Sequence, residues 1–224
     1  METGKMVELR DPEIRRHRIQ RSKPAASSGP PEGYAGKRLM DVILSSVLIV
    51  LLLSWMTPLL FVIIRLDSRG PLFFRQRRSG REGLIFHCLK FRTMIPNKNS
   101  DLRQAEHEDE RITRVGLILR RLHIDELPQL INILRGDMSF VGPRPHMLSD
   151  EVLFGSQVAA YPVRQYVRPG LTGLAQVKGY HGPTPDYHSI YFRTKLDRFY
   201  VYHQSMLLDL RILLQTLVKP FKGR

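Results

Sequence analysis

Val42-Ile43-Leu44-Ser45-Ser46-Val47-Leu48-Ile49-Val50-Leu51-Leu52-Leu53-Ser54-Trp55-Met56-Thr57-Pro58-Leu59-Leu60-Phe61-Val62-Ile63-Ile64 runs for 23 residues without a charge. A helix of that length covers a hydrocarbon core of about 30 Å. One membrane-spanning helix is the first expectation. Two features point the other way. Pro58 removes a backbone hydrogen bond and bends a helix, and the Thr57 hydroxyl can satisfy the freed backbone locally. Both flanks are also basic: Lys37 and Arg38 precede the segment, and Arg65, Arg69, Arg75, Arg77, Arg78 and Arg81 follow it. Short basic flanks favour the cytoplasmic side. A spanning helix violates that preference at one end. A segment that enters, breaks at Thr57-Pro58 and returns to the same face violates it at neither. On pattern alone both readings stand.

Residues 1–36 form a basic, Pro/Gly/Ser-rich arm with Arg15-Arg16-His17-Arg18, read as mostly disordered and able to touch anionic lipid or simply be solvated. No apolar stretch follows at the distance a signal peptide needs, so a leader is not expected. From Gly70 onward the pattern is that of a globular domain. Phe73 to Gln76 and Leu84 to Phe91 are β-leaning runs joined by a turn with Gly80 and Gly83. Residues 97–110 read as a polar surface helix or loop, and 112–122 and 128–135 carry helical apolar spacing. Leu153 to Val167 reads as partly helical. Residues 205–219 carry a broad apolar stripe suited to a membrane surface or to core packing.

The formal charge of +14 calls for an anionic partner, whether nucleic acid, lipid surface or phosphorylated molecule. The single cysteine, Cys88, excludes an internal disulfide, and eight scattered histidines without CxxC or HExxH give a zinc cage little support.

Four stretches carry chemistry. In Arg120-Arg121-Leu122-His123-Ile124-Asp125-Glu126-Leu127-Pro128, Pro128 suits the first turn of a helix and pushes Leu127 out of helical geometry. Asp125 and Glu126 then precede a helix N-terminus, where negative charge is favoured. Arginines and a divalent cation would relieve their repulsion, leaving one carboxylate as nucleophile and the other as metal ligand. Taken alone, a capping pair is the simpler reading. Pro143-Arg144-Pro145 fixes the backbone around an arginine preorganised for phosphate. Lys90 and Arg92 would share one face of a strand. Arg168-Pro169-Gly170-Leu171-Thr172-Gly173-Leu174-Ala175-Gln176 has glycines that permit a tight turn and close approach of a ligand. Each of these also reads as a surface turn or a solvated strand face.

Their order and spacing together resemble the bacterial sugar transferase family, the monotopic phosphoglycosyl transferases. The resemblance runs over residues 37–219 and rests on a series of blocks. These are Lys37-Arg38 with Asp41, the apolar segment, Gly70-Pro71, Phe73 to Gln76, Lys90 to Met94, Arg111 to Gly116, Asp125 to Gln129, Arg135 to Ser139, Val141 to Pro145 and Pro169 to Gly173. It implies an α+β, mostly helical fold. A re-entrant membrane helix-break-helix (37–69, broken at Thr57-Pro58) would precede a small cytosolic catalytic domain (70–224) with a short β-hairpin and interfacial amphipathic helices. The implied activity is transfer of a sugar-1-phosphate from a UDP-sugar to polyprenyl phosphate with release of UMP, at the cytoplasmic face of the bacterial inner membrane. This is the first membrane step of exopolysaccharide, capsule or O-antigen assembly. By the same resemblance Asp125 is the nucleophile, Glu126 the Mg²⁺ ligand and Arg144 the phosphate-binding arginine. Lys90, Arg92, Arg120, Gln176 and His181 are further substrate contacts.

Departures are few. Thr57 replaces the family's Ser before proline, and His123 stands where many members have Ser or Thr. Gly179-Tyr180-His181-Gly182 is similar to the Gly-Tyr-Arg-Gly of hexose-1-phosphate transferring members, which favours UDP-glucose or UDP-galactose as donor. The extra four-helix region of larger members has no counterpart here, which implies the minimal form, and a homodimer is compatible with the family. Two rivals are a membrane-tethered nucleic-acid binder and a non-catalytic scaffold of polysaccharide assembly. The first lacks helix-turn-helix spacing, an RNP-like strand or a zinc finger; the intact Asp125-Glu126 pair argues against the second.

Overall fold

The long apolar stretch folds as helix from end to end. The computed structural model describes residues 33–96, 109–180, 182 and 186–218. In it, helix α1 (Lys37–Leu48) passes through a π-helical turn (Ile49–Leu53) into helix α2 (Ser54–Asp67). Among the described residues this 31-residue run is the one helix long and apolar enough to cross a membrane. The backbone stays helical through Thr57 and Pro58, and the departure from α geometry lies just upstream, where the Ser54 N–H reaches the Ile49 carbonyl. Proline cannot donate to the carbonyl four residues back. Hydroxyls add bonds nearby: Thr57 donates to the Leu53 carbonyl and Ser54 to the Val50 carbonyl, both at 2.6 Å.

Both ends of this run are fastened to the same body. At the start, Lys37 Nζ meets Asp209 at 2.5 Å, the Tyr200 hydroxyl at 3.0 Å and the Val141 carbonyl at 3.1 Å. Arg38 donates to the Ile133 and Leu134 carbonyls at 2.6 and 2.8 Å. Buried Asp41 accepts from the Ser139 hydroxyl and the Phe140 N–H, both at 3.0 Å. At the other end, Asp67 accepts from the Val115 N–H at 3.3 Å. Arg92 donates to the carbonyls of Pro71 (2.6 Å) and Ser68 (2.8 Å) and to the Ser68 hydroxyl. In between, Leu44, Leu48 and Ile49 pack on one apolar core and Leu53, Leu60 and Ile64 on a second. Val47, Val50, Leu51, Trp55, Leu59, Val62 and Leu66 remain exposed. A continuous apolar face of this kind marks a membrane or protein contact.

The body itself is α+β and mostly helical, as expected. Strands β1 (Phe73–Ser79) and β2 (Ile85–Phe91) form an antiparallel hairpin that pairs Phe73 with Phe91 and Ser79 with Ile85. Its turn needs positive φ, supplied by Glu82 (55°) and Gly83 (72°). Helix α3 (Arg114–Arg121) is capped by the Thr113 hydroxyl, which accepts from the Gly116 N–H at 3.0 Å. Helix α4 (Gln129–Arg135) ends on Gly136 at φ 94°. A second, parallel two-stranded sheet joins β3 (Ser139–Val141) to β4 (Gly170–Thr172), which the sequence reading did not anticipate. Helices α5 (Leu148–Gln157), α6 (Leu174–Val177), α7 (Tyr187–His203) and α8 (Met206–Val218) complete it. On α8 the apolar stripe divides: Ile212 is buried and Leu213 packs on the core, whereas Met206, Leu207, Leu210, Leu214, Leu217 and Val218 are exposed.

One local expectation is corrected. Leu127 is not driven out of helical geometry by Pro128 but sits at φ −55°, ψ −34°. A 3-10 turn (Ile124–Glu126) runs directly into α4, with the Leu127 N–H bonded to the Ile124 carbonyl at 3.1 Å, and Pro128 occupies the junction. Tertiary packing of Ile124 and Leu127 on the second core outweighs the local steric preference. Residues 1–32 of the basic arm and 97–108 of the polar stretch lie outside the described residues.

The β3–β4 contact depends on missing side chains. A Cβ on Gly170 would overlap the Gly142 amide nitrogen, and one on Gly173 would overlap the Gly142 carbonyl oxygen. Gly170→Ala is expected to lower the unfolding free energy by about 1–3 kcal/mol or more, read as a fall in the thermal midpoint of the detergent-solubilised protein.

Candidate active site

Two carboxylates and two cations delivered by three chain segments converge on one point. Lys90 comes from the end of β2, Asp125 and Glu126 from the 3-10 turn, and Arg144 from the loop after β3. Glu126 Oε1 accepts from Lys90 Nζ and from Arg144 Nη2, each at 2.7 Å, and its Oε2 meets Arg144 Nη1 at 3.4 Å. Asp125 is buried, with Lys90 Nζ 4.0 Å from its Oδ2, beyond hydrogen-bond reach. The neighbours are thus unevenly shared.

The two carboxylates are displaced in opposite directions. For Glu126, burial pushes the pKa up, but Arg144 and Lys90 together outweigh it and hold the group well below the usual carboxylate range. For Asp125, burial dominates and raises the pKa, the charge on Glu126 adds to the rise, and Lys90, Arg120 and His123 only partly oppose it. Glu126 is a fixed anion; Asp125 is the more basic oxygen.

The supports are legible in the packing. Asn132, buried in α4, accepts from the Leu89 N–H at 2.9 Å and donates to the His87 carbonyl at 2.8 Å, which sets β2 against α4. Arg78 donates to the Pro145 carbonyl at 3.1 Å and Arg164 to the Arg144 carbonyl at 2.6 Å, so consecutive carbonyls of the Pro143-Arg144-Pro145 loop are each held by a guanidinium. Sequence reading missed Asn132, Arg164 and His146. An asparagine inside the apolar run Leu130-Ile131-Asn132-Ile133-Leu134 was the available signal for the first.

Of the residues named from sequence, Lys90, Asp125, Glu126 and Arg144 meet, and the charge of Arg120 acts on Asp125. Arg92 does not share their face. It is 5% exposed, and its donors are spent on Pro71, Ser68 and Ile64 at the end of α2, because the strand stops at Phe91. Gln176, on α6, donates to the Leu171 carbonyl of β4 at 3.1 Å. His181 lies outside the described residues.

Among the described residues no three His, Cys, Asp or Glu side chains gather as a metal cage. The donor set of Asp125 and Glu126 nevertheless fits Mg²⁺, a hard ion that keeps waters and takes oxygens from a bound phosphate. Glu126 Oε2, with its single long contact, is the freest of the paired oxygens.

A small α+β body that carries one long apolar helix and gathers cations around a carboxylate pair is built to handle an anionic ligand. The chain belongs to the bacterial sugar transferase family, whose sequence model matches residues 33–223. It is 45% identical over 184 residues to a UDP-glucose:undecaprenyl-phosphate glucose-1-phosphate transferase of Caulobacter vibrioides, covering 80% of this chain and 67% of that one. It is 41% identical over 189 residues to a Klebsiella pneumoniae protein of the same description, covering 83% of this chain but 40% of the relative. The exopolysaccharide production protein PSS of Rhizobium leguminosarum is 41% identical over 187 residues, covering 81% of this chain and 93% of the relative.

The opposed displacements give a direct test. With ¹³C-labelled aspartate, the Asp125 carboxyl should titrate above the ordinary aspartate value. In Glu126→Gln, which removes a like charge and leaves Lys90 and Arg144 in place, its titration should move to lower pH. An unmoved or raised value would contradict the assignment of charges.

Proposed function

We propose that this chain transfers a hexose-1-phosphate from a UDP-sugar to undecaprenyl phosphate through a covalent aspartyl-phosphosugar at Asp125. The observation that carries this reading is the inequality of the two carboxylates: Glu126 is neutralised by Lys90 and Arg144, while buried Asp125 keeps a raised basicity. A carboxylate poorly stabilised as an anion is the better nucleophile. An Asp125 oxygen attacks the sugar-bearing phosphorus, the bond to the bridging oxygen breaks, and UMP leaves with that electron pair. An oxygen of the lipid phosphate then attacks the same phosphorus, and Asp125 departs as a carboxylate. Arg144 and Lys90 face the charge that develops on the phosphoryl oxygens. Mg²⁺, held by Glu126 and the diphosphate, would neutralise further charge there.

The names of the C. vibrioides and K. pneumoniae relatives support a glucose donor. Gly179-Tyr180 points the same way. The place in exopolysaccharide assembly is supported by the R. leguminosarum relative.

The apolar helix is read as re-entrant. Both ends bond to one body, through Lys37, Arg38 and Asp41 at the start and Asp67 and Arg92 at the end. A helix crossing a core of about 30 Å would carry one end out of reach. The basic flanks favour the cytoplasmic face for that body.

Asp125→Asn should lower UMP release from UDP-glucose in the presence of undecaprenyl phosphate and Mg²⁺ by at least about 1000-fold. The wild-type protein incubated with donor alone should show a hexose-phosphate adduct by intact mass. Turnover undiminished in Asp125→Asn would overturn the nucleophile. For topology, Cys88 is buried, so cysteines placed at Gly36 and Arg69 report cleanly. Both should label only from the cytoplasmic side, and labelling of one from the periplasm would establish a crossing instead.

A further inference from the structure

Behind the Pro143-Arg144-Pro145 loop lies a buried polar cluster that the chemistry above does not use. Arg164, 5% exposed, donates to the Arg144 carbonyl at 2.6 Å and pairs with the Asp197 carboxylate at 3.1 Å. Asp197 projects from the buried face of α7, one turn beyond Arg193. Arg193, also buried, donates to the Gly182 carbonyl at 2.9 Å, and among the described residues it has no carboxylate in ion-pair contact. His146 stands between the two arginines, with Nδ1 2.6 Å from Arg164 and Nε2 3.2 Å from Arg193.

A guanidinium nitrogen only donates. Burial first, then the surrounding arginines, keep His146 neutral. His146 Nδ1 also lies 2.5 Å from the Tyr161 hydroxyl, so the ring is held on that side by both Tyr161 and Arg164. Arg193 meets the other edge of the ring and donates to the Gly182 carbonyl. The Nε atoms of both arginines are buried without a hydrogen bond. Such a cluster is costly to bury, and apolar packing would serve stability as well. Its placement gives it another use. One helix holds, through Asp197 and Arg164, the loop that presents Arg144, and holds through Arg193 the carbonyl of Gly182.

We propose that Arg164 and Arg193 are positioning residues that tie the phosphate-binding Arg144 and the backbone at Gly182 to a common strut, α7, so that the donor's diphosphate and its sugar are registered together. The donor assignment rests on the transferase reading above. The physical link does not.

The experiment uses the full chain in detergent, with Arg164→Lys, Arg193→Lys and the double variant. Lysine keeps the charge and loses the two-pronged geometry. Hydrogen–deuterium exchange is followed in peptides covering 142–146 and 179–182. Exchange should rise in both segments in each single variant, including the segment the replaced residue does not touch. Each single variant should lose about 10- to 100-fold in kcat/KM for UDP-glucose, with narrowed discrimination against UDP-galactose, and the double variant should be no worse than the poorer single one. A residue that merely supported the fold would change the thermal midpoint without changing donor discrimination. Exchange confined to the segment touched, with additive losses in the double variant, would overturn the proposal. If Arg164→Lys does not fold, exchange of 142–146 in Arg193→Lys decides it. If wild-type protein releases no UMP while the two segments still respond together, the transferase reading fails and the link stands.

Discussion

Everything at the candidate site depends on Glu126 being held between two cations. Its ion pairs with Lys90 and Arg144 join the hairpin, the 3-10 turn and the loop after β3, which are far apart in sequence. A buried carboxylate without partners would protonate rather than stay charged. With two cations at 2.7 Å it stays ionised. The arrangement adds little to stability, since desolvation offsets most of the attraction. Its value is in position: three segments are registered to one another and Asp125 is left basic beside them.

The remainder of the body keeps that point in place. Asn132 fastens β2 to α4. The glycines at 142, 170 and 173 let β3 and β4 approach closely enough to carry the Arg144 loop. Arg78 and Arg164 then hold that loop by its carbonyls. The long apolar helix is fastened to the same elements: Asp41 accepts from β3, and Arg38 caps the end of α4, where a cation suits the free carbonyls. Anchoring to an apolar phase and placement of the site are thus one structural problem.

Much of this was legible in the sequence because it is local. The 23 uncharged residues, the hairpin with its two turn glycines and the apolar spacing of α3, α4 and α8 are short-range patterns, and the structure follows them. Arg92 misled, because strand alternation assigns it to the face of Lys90 only if the strand continues past Phe91. Leu127 misled for the same kind of reason: a local steric rule lost to packing on the second core. The parallel β3–β4 pair was invisible because its strands are three residues each, too short to show a period.

By itself, the sequence marked a long uncharged apolar segment, a β-hairpin followed by stretches of helical spacing, a strongly basic charge and an adjacent carboxylate pair ahead of a proline-flanked arginine. It left Asp125 and Glu126 chemically alike, because adjacent residues of one type share every local property. Only the tertiary structure separated them, by bringing Lys90 and Arg144 onto Glu126 and burying Asp125 beside it. Charge is felt across space rather than along the chain, so which carboxylate is neutralised and which stays basic is decided by folding.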